Sequence, residues 1–114
     1  MITHLYIIKS GPEKSAPIKI GVAVNVEKRL DELQTGNPKE LAIMYKIPMN
    51  SRAHAYSVEA RLHRDFKRDC IRGEWFRARV IGRIKVKELL QGRAHEKLFD
   101  ENDLEMICEA NLHI

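Results

Sequence analysis

The chain has 114 residues, enough for one domain with a real core and too few for an added cofactor domain of Rossmann size. Apolar residues make up 44% of it, yet no apolar run approaches the roughly 18–20 residues of a membrane span, and Met1-Ile2-Thr3-His4 has neither the charged start nor the apolar stretch of a signal peptide. The net charge of +4 hides an asymmetry: residues 1–98 hold all 20 Lys and Arg against 11 acids, whereas residues 99–114 hold five acids and no Lys or Arg.

A basic body implies a polyanionic partner, nucleic acid before anionic membrane. Cys70 and Cys108 form no recognisable pair or metal motif, so a reduced intracellular protein is expected.

Residues 3–9 are β-branched and aromatic and predict a strand. Ser10 to Pro17 is polar and carries the turn signal Gly11-Pro12. Residues 18–23 predict a second strand, joined to the first in a hairpin with a loop of about seven residues. Alternation puts Ile18, Ile20 and Val22 on one face, and Lys19, Gly21 and Ala23 on the other. Asn25 is a good cap for a helix over 26–34. Gly36 and Pro38 end that helix. Residues 41–47 predict a third strand and 53–67 a longer helix. Gly73-Glu74-Trp75-Phe76 is an extended segment or turn. Helices are then predicted over 78–91 and 102–111, with Asn102 and Glu105 at capping-box spacing. This order describes a small α+β domain with one antiparallel sheet over 1–91, followed by an acidic helical extension over 92–114.

The helices carry the first chemical hints. On the helix over 26–34, Val26, Leu30 and Leu33 form the apolar stripe, and Arg29 lies beside it. Arg29 either runs its stem along the stripe edge or aims a guanidinium at an anion. On the helix over 53–67, Ala55, Val58, Leu62 and Phe66 form the stripe. Glu59 falls inside it, with His63 one turn on. A carboxylate there must be paired or bound to a metal to offset its desolvation. A buried Glu–Arg or Glu–His hydrogen bond is the plain alternative. Tyr6 and Lys19 can point to the same face of the hairpin, and Gly21 beside them suits a close approach. From Arg52 to Lys87 there are eleven Lys and Arg against four acids. Arg61, Arg64, Lys67, Arg68 and Arg72 of this run are the candidate contacts to a phosphate backbone.

Several short motifs, taken in order, resemble a known family. They are Leu5-Tyr6, Lys19-Ile20-Gly21, Arg29-Leu30, the run from Leu33 to Pro38, Glu59 with Leu62, His63 and Phe66, and Gly73-Glu74-Trp75-Phe76. Together they resemble the GIY-YIG nuclease superfamily over about residues 3–80. The nearest branch is the one also described as the meiotically up-regulated gene family, common in phages and bacteria. The resemblance implies a three-stranded antiparallel sheet flanked by helices, and endonuclease activity on DNA with one divalent cation, Mg²⁺ or Mn²⁺. It implies that Tyr6 is the first motif's tyrosine and Gly21 the second motif's glycine. It further implies that Arg29 binds the scissile phosphate and that Glu59 holds the metal. His4 stands where the first motif has glycine, Lys19 where many members have tyrosine, and Leu33 where many nucleases carry Tyr or His.

On this reading Tyr6, Lys19, Arg29 and Glu59 are the catalytic set. Gly21, His63 and Glu74 support it, with His63 a donor that orients Glu59. The general base is either Tyr6 or a Lys19 whose pKa Arg29 depresses. The substrate is double-stranded or branched DNA, or RNA, in the cytoplasm of a bacterial or phage-infected cell, and no membrane is involved. Two other readings are a nucleic-acid-binding module without catalysis and an assembly protein. The apolar face formed by Leu104, Ile107 and Cys108 would serve the latter as a homodimer contact.

Overall fold

The computed structural model describes residues 1–84. The expected helix over 102–111, its dimer face, the extension over 92–114 and the far part of the helix over 78–91 lie outside the described residues.

Strand β1 (His4–Ser10) is an interior strand of the sheet. It pairs antiparallel with β2 (Ile18–Ala23) on one side and with β3 (Leu41–Pro48) on the other. The connection between β1 and β2 closes through Ser10 N–H donating to the Pro17 carbonyl at 2.9 Å. Helix α1 (Val26–Gln34) joins β2 to β3. It starts where the Asn25 side chain accepts from the Lys28 N–H at 3.0 Å and ends before Gly36, whose φ of 77° only glycine adopts freely. Helix α2 (Arg52–Asp65) follows β3 and is capped by the Ser51 hydroxyl.

The sheet has five strands where the sequence and the resemblance implied three. After α2 a single 3-10 turn (Lys67–Asp69) leads into β4 (Cys70–Arg72), and Gly73 turns the chain into β5 (Trp75–Phe76). The order is β3-β1-β2-β5-β4. Strands of three and two residues show no readable alternation, so only the hydrogen bonds of β5 to β2 and of β4 to β5 reveal them. The helix expected from Ala78 is also corrected: Ala78–Arg83 is a 3-10 helix, with Ile84 N–H donating to the Val80 and Ile81 carbonyls. Its arginines are drawn to a distant carboxylate, Asp69, rather than arranged along an α-helical face.

Two helices cover opposite faces of the sheet. Against α2 lie Leu5, Ile7, Ile18, Ile20, Phe76 and their neighbours, packed on Ala55, Val58 and Leu62. A bulge between β1 and β3 places Met44 and Tyr45 in this same core. Against α1 lie Tyr6, Ile8, Val26 and Leu41, with Leu30 and Leu33 partly buried over them. No helix among the described residues is long and apolar enough to cross a membrane.

Candidate metal and phosphate site

The site grows from a gap in the sheet. Strand β5 pairs with β2 only at Ile18 and Lys19, so β2 beyond Lys19 has no strand partner on that side among the described residues. There the Ile20 N–H donates to the Glu74 carbonyl at 3.2 Å. The Ile20 carbonyl accepts from His63 Nε2 at 2.9 Å. Groups from both layers therefore meet at one edge.

From the α1 side come Tyr6, Lys19 and Arg29. Tyr6 is opposite Gly21 across the hairpin and is almost fully buried. A Cβ on Gly21 would collide with the Tyr6 hydroxyl and its Cζ, so residue 21 lacks a side chain because the phenol occupies that space. Arg29, half-exposed on α1, sets its guanidinium near the Tyr6 phenol and pairs with Glu32 at 3.2 Å. Burial pushes the Tyr6 pKa up against the pull of Arg29, and the nearby carboxylates of Glu74 and Glu59 add to the push. Lys19 is 9% exposed along its side chain, yet its Nζ reaches Glu74 at 2.9 Å and lies 5.6 Å from the centre of the Trp75 ring. That arrangement is a desolvated stem with a paired head.

From the α2 side come Glu59 and His63, one turn apart. Glu59 is half-buried, at the margin of the apolar stripe rather than within it. Burial raises its pKa, Glu74 raises it further, and His63 and Lys19 oppose the rise. The His63 ring packs edge-on against Phe76 with centroids 5.1 Å apart. Its Nε2 donates to the Ile20 carbonyl and not to Glu59, so the expected orienting bond between the two is replaced by one to the sheet. Potential ligand atoms of Glu59, His63 and Glu74 lie within 4.8 Å of one another. This donor set of two carboxylates and an imidazole suits a divalent cation.

Tyr6, Lys19, Gly21, Arg29, Glu59, His63 and Glu74 thus converge. Arg61, Arg64, Lys67, Arg68 and Arg72 do not join them, and all five are exposed on α2 and the segment that follows it. Asp69 carried no expectation from the sequence, although it is a lone acid among bases. It is buried, accepts from Arg79 Nε at 2.6 Å and pairs with Arg83 at 3.4 Å and Arg77 at 3.8 Å. One carboxylate thereby gathers three arginines at the end of the described chain.

The family model described as the T5orf172 domain matches residues 3–97. That span contains every residue of the site and runs past the last strand. No curated protein and no solved structure matches the chain. With the match covering most of its length, the chain belongs to the T5orf172 domain family, a domain found in phage and nuclease-like proteins.

Proposed function

We propose that this chain is a metal-dependent endonuclease of the GIY-YIG kind, hydrolysing DNA phosphodiester bonds. The observation that carries the reading is the meeting at the open edge of β2 of Lys19, paired with Glu74, and the cluster of Glu59, His63 and Glu74, with Tyr6 and Arg29 beside them. The ordered motifs that resemble that superfamily and the nuclease association of the T5orf172 domain support it.

Glu59 is the carboxylate that holds Mg²⁺ or Mn²⁺, with His63 and Glu74 beside it. When bound, the cation supplies Lewis-acid stabilisation of phosphate charge and a more acidic water. Arg29 stays cationic and faces the charge that develops on the phosphate during in-line attack. Burial keeps the Tyr6 hydroxyl protonated at neutral pH, which favours Tyr6 as a group that orients water or phosphate over Tyr6 as the phenolate base. Lys19 Nζ donates to Glu74 as an ammonium, which has no lone pair with which to take a proton from water. The exposed Arg61, Arg64, Lys67, Arg68 and Arg72 hold the DNA backbone.

Those five cations also favour a second reading, a nucleic-acid-binding module without catalysis. Supercoiled plasmid incubated with the protein and Mg²⁺ or Mn²⁺ separates the two. Cleavage predicts metal-dependent nicking that Glu59→Ala lowers by at least about 100-fold, on the scale of a lost catalytic electrostatic group. Equal nicking by both proteins, or none on any DNA form, overturns the nuclease. Metal-free binding that Glu59→Ala leaves unchanged, without nicking, favours the module.

A further inference from the structure

The resemblance assigns the cation to Glu59 alone, but the geometry offers more donors and a competitor. Glu74 stands in the turn between β4 and β5, and its backbone is tied to β2 through the Ile20 N–H. Its carboxylate shares the 4.8 Å cluster with Glu59 and His63. His63 commits Nε2 to the Ile20 carbonyl, which leaves Nδ1 as the ring nitrogen that can take a ligand. A ring nitrogen anchored on a backbone carbonyl, with the other nitrogen left for a ligand, is the usual arrangement of a metal-binding histidine. The described ion pairs leave Glu59 without a cationic partner. Lys19 pairs directly with Glu74 and acts on Glu59 only through space.

We infer that Glu59, His63 and Glu74 together form a three-donor cation site that prefers Mn²⁺ over Mg²⁺, and that Lys19 holds Glu74 until the cation displaces it. Two carboxylates close together repel, and a single ammonium on one of them leaves the pair with uncompensated negative charge. A divalent cation balances both carboxylates and frees Lys19, whose Nζ lies beside the Trp75 ring, to face the phosphate. An imidazole ligand sets the preference, because Mg²⁺ favours oxygen donors and its own waters, whereas Mn²⁺ accepts nitrogen more readily. The inference rests on Glu59 being the metal carboxylate of the proposed nuclease, and it adds the other two donors, the selectivity and the displaced lysine.

The test is Mn²⁺ binding to the full chain without DNA, read from loss of the free Mn²⁺ signal in electron paramagnetic resonance, with Mg²⁺ as competitor. The wild type is expected to bind one Mn²⁺ and to need at least about tenfold more Mg²⁺ to displace it. Glu74→Gln and His63→Gln should each weaken Mn²⁺ by about tenfold or more, the scale of a lost supporting ligand. His63→Gln should also narrow the Mn²⁺/Mg²⁺ ratio. Lys19→Met removes the competitor and should tighten Mn²⁺ severalfold, a direction that no loss of folding imitates. Circular dichroism identifies unfolded variants, and Glu74→Gln lies in a partly exposed turn where folding is little at risk. The inference is overturned if the wild type fails to bind Mn²⁺, if Glu74→Gln and His63→Gln bind it as the wild type does, or if Lys19→Met weakens it. Plasmid nicking reads the other question. Nicking that depends on Glu59 but ignores His63 and Glu74 keeps the nuclease and discards the three-donor site. Three-donor binding without nicking does the reverse.

Discussion

The two faces of the sheet differ in depth. Among the described residues, the cluster on the α2 side of the sheet buries fourteen hydrophobic residues, whereas the one on the α1 side buries four. Helix α2 has fourteen residues and α1 has nine, so α1 covers less of the sheet. The thin face can therefore hold a phenol and a lysine stem whose polar ends reach the open edge of β2. The deep face supplies rigidity and, at its rim, Glu59 and His63, whereas the thin face supplies Tyr6, Lys19 and Arg29. The proposed site lies where the short β5 lets the two communicate. Side chains whose heads must meet a phosphate cannot be placed in the deep core without leaving polar atoms unpaired.

If the division is real, the largest effect belongs to the deep face. Phe76→Ala removes a fully buried ring that also backs His63, and should cost about 3–5 kcal/mol in urea unfolding. Val26→Ala on the thin face should cost clearly less, and equal losses would break the comparison.

Gly21→Ala comes next. Its added methyl meets the Tyr6 phenol, and overpacking of this kind costs about 1–3 kcal/mol. A drop in plasmid nicking that exceeds the drop in folded fraction would mark displacement of Tyr6 as a separate effect.

Asp69→Ala tests the part outside both cores. The carboxylate is buried but the arginine heads are more than half exposed. Those heads regain water when it is removed, so the loss should be about 2 kcal/mol, near one charge-assisted hydrogen bond. A thermal unfolding midpoint equal to wild type would show that the arginines, and not the fold, are what Asp69 serves.

The smallest effect concerns Glu59. Its folded-state pKa is raised by burial, with Glu74 adding to the rise. Ionisation therefore opposes folding: the contribution of this group is full below the ordinary carboxylate pKa and is lost as pH rises through the raised value. Glu59→Gln should then unfold at a slightly higher temperature than wild type at neutral pH with chelator present, and the gain should vanish towards about pH 4. A gain that grows on acidification would contradict the sign.

Much of this architecture was readable from local pattern. Helix α1 forms over the expected residues because Asn25 caps it and Gly36 stops it. Strand β2 also has the expected bounds, and register places Lys19 beside Ile8 and Gly21 beside Tyr6 as alternation requires. The pairing of Glu59 with His63 follows from helical spacing alone. Helix α2 starts at Arg52, a residue earlier than expected, because the Ser51 hydroxyl caps it. It ends at Asp65 instead of continuing to residue 67, as the chain tightens into the 3-10 turn that carries Asp69 inward.

What the amino-acid order determined by itself was local: three strands, two helices, a basic stretch and a carboxylate within an apolar stripe, which the fold then moved to the stripe's margin. Tertiary structure alone decided that β4 and β5 join the sheet, because two or three residues carry no period and gain their hydrogen bonds only from a neighbour already in place. It also brought Glu74 to Glu59 and His63, and Asp69 to three arginines. Those meetings join residues 8 or more apart across a turn or a sheet edge, where no spacing rule operates and only the packed chain sets the distance.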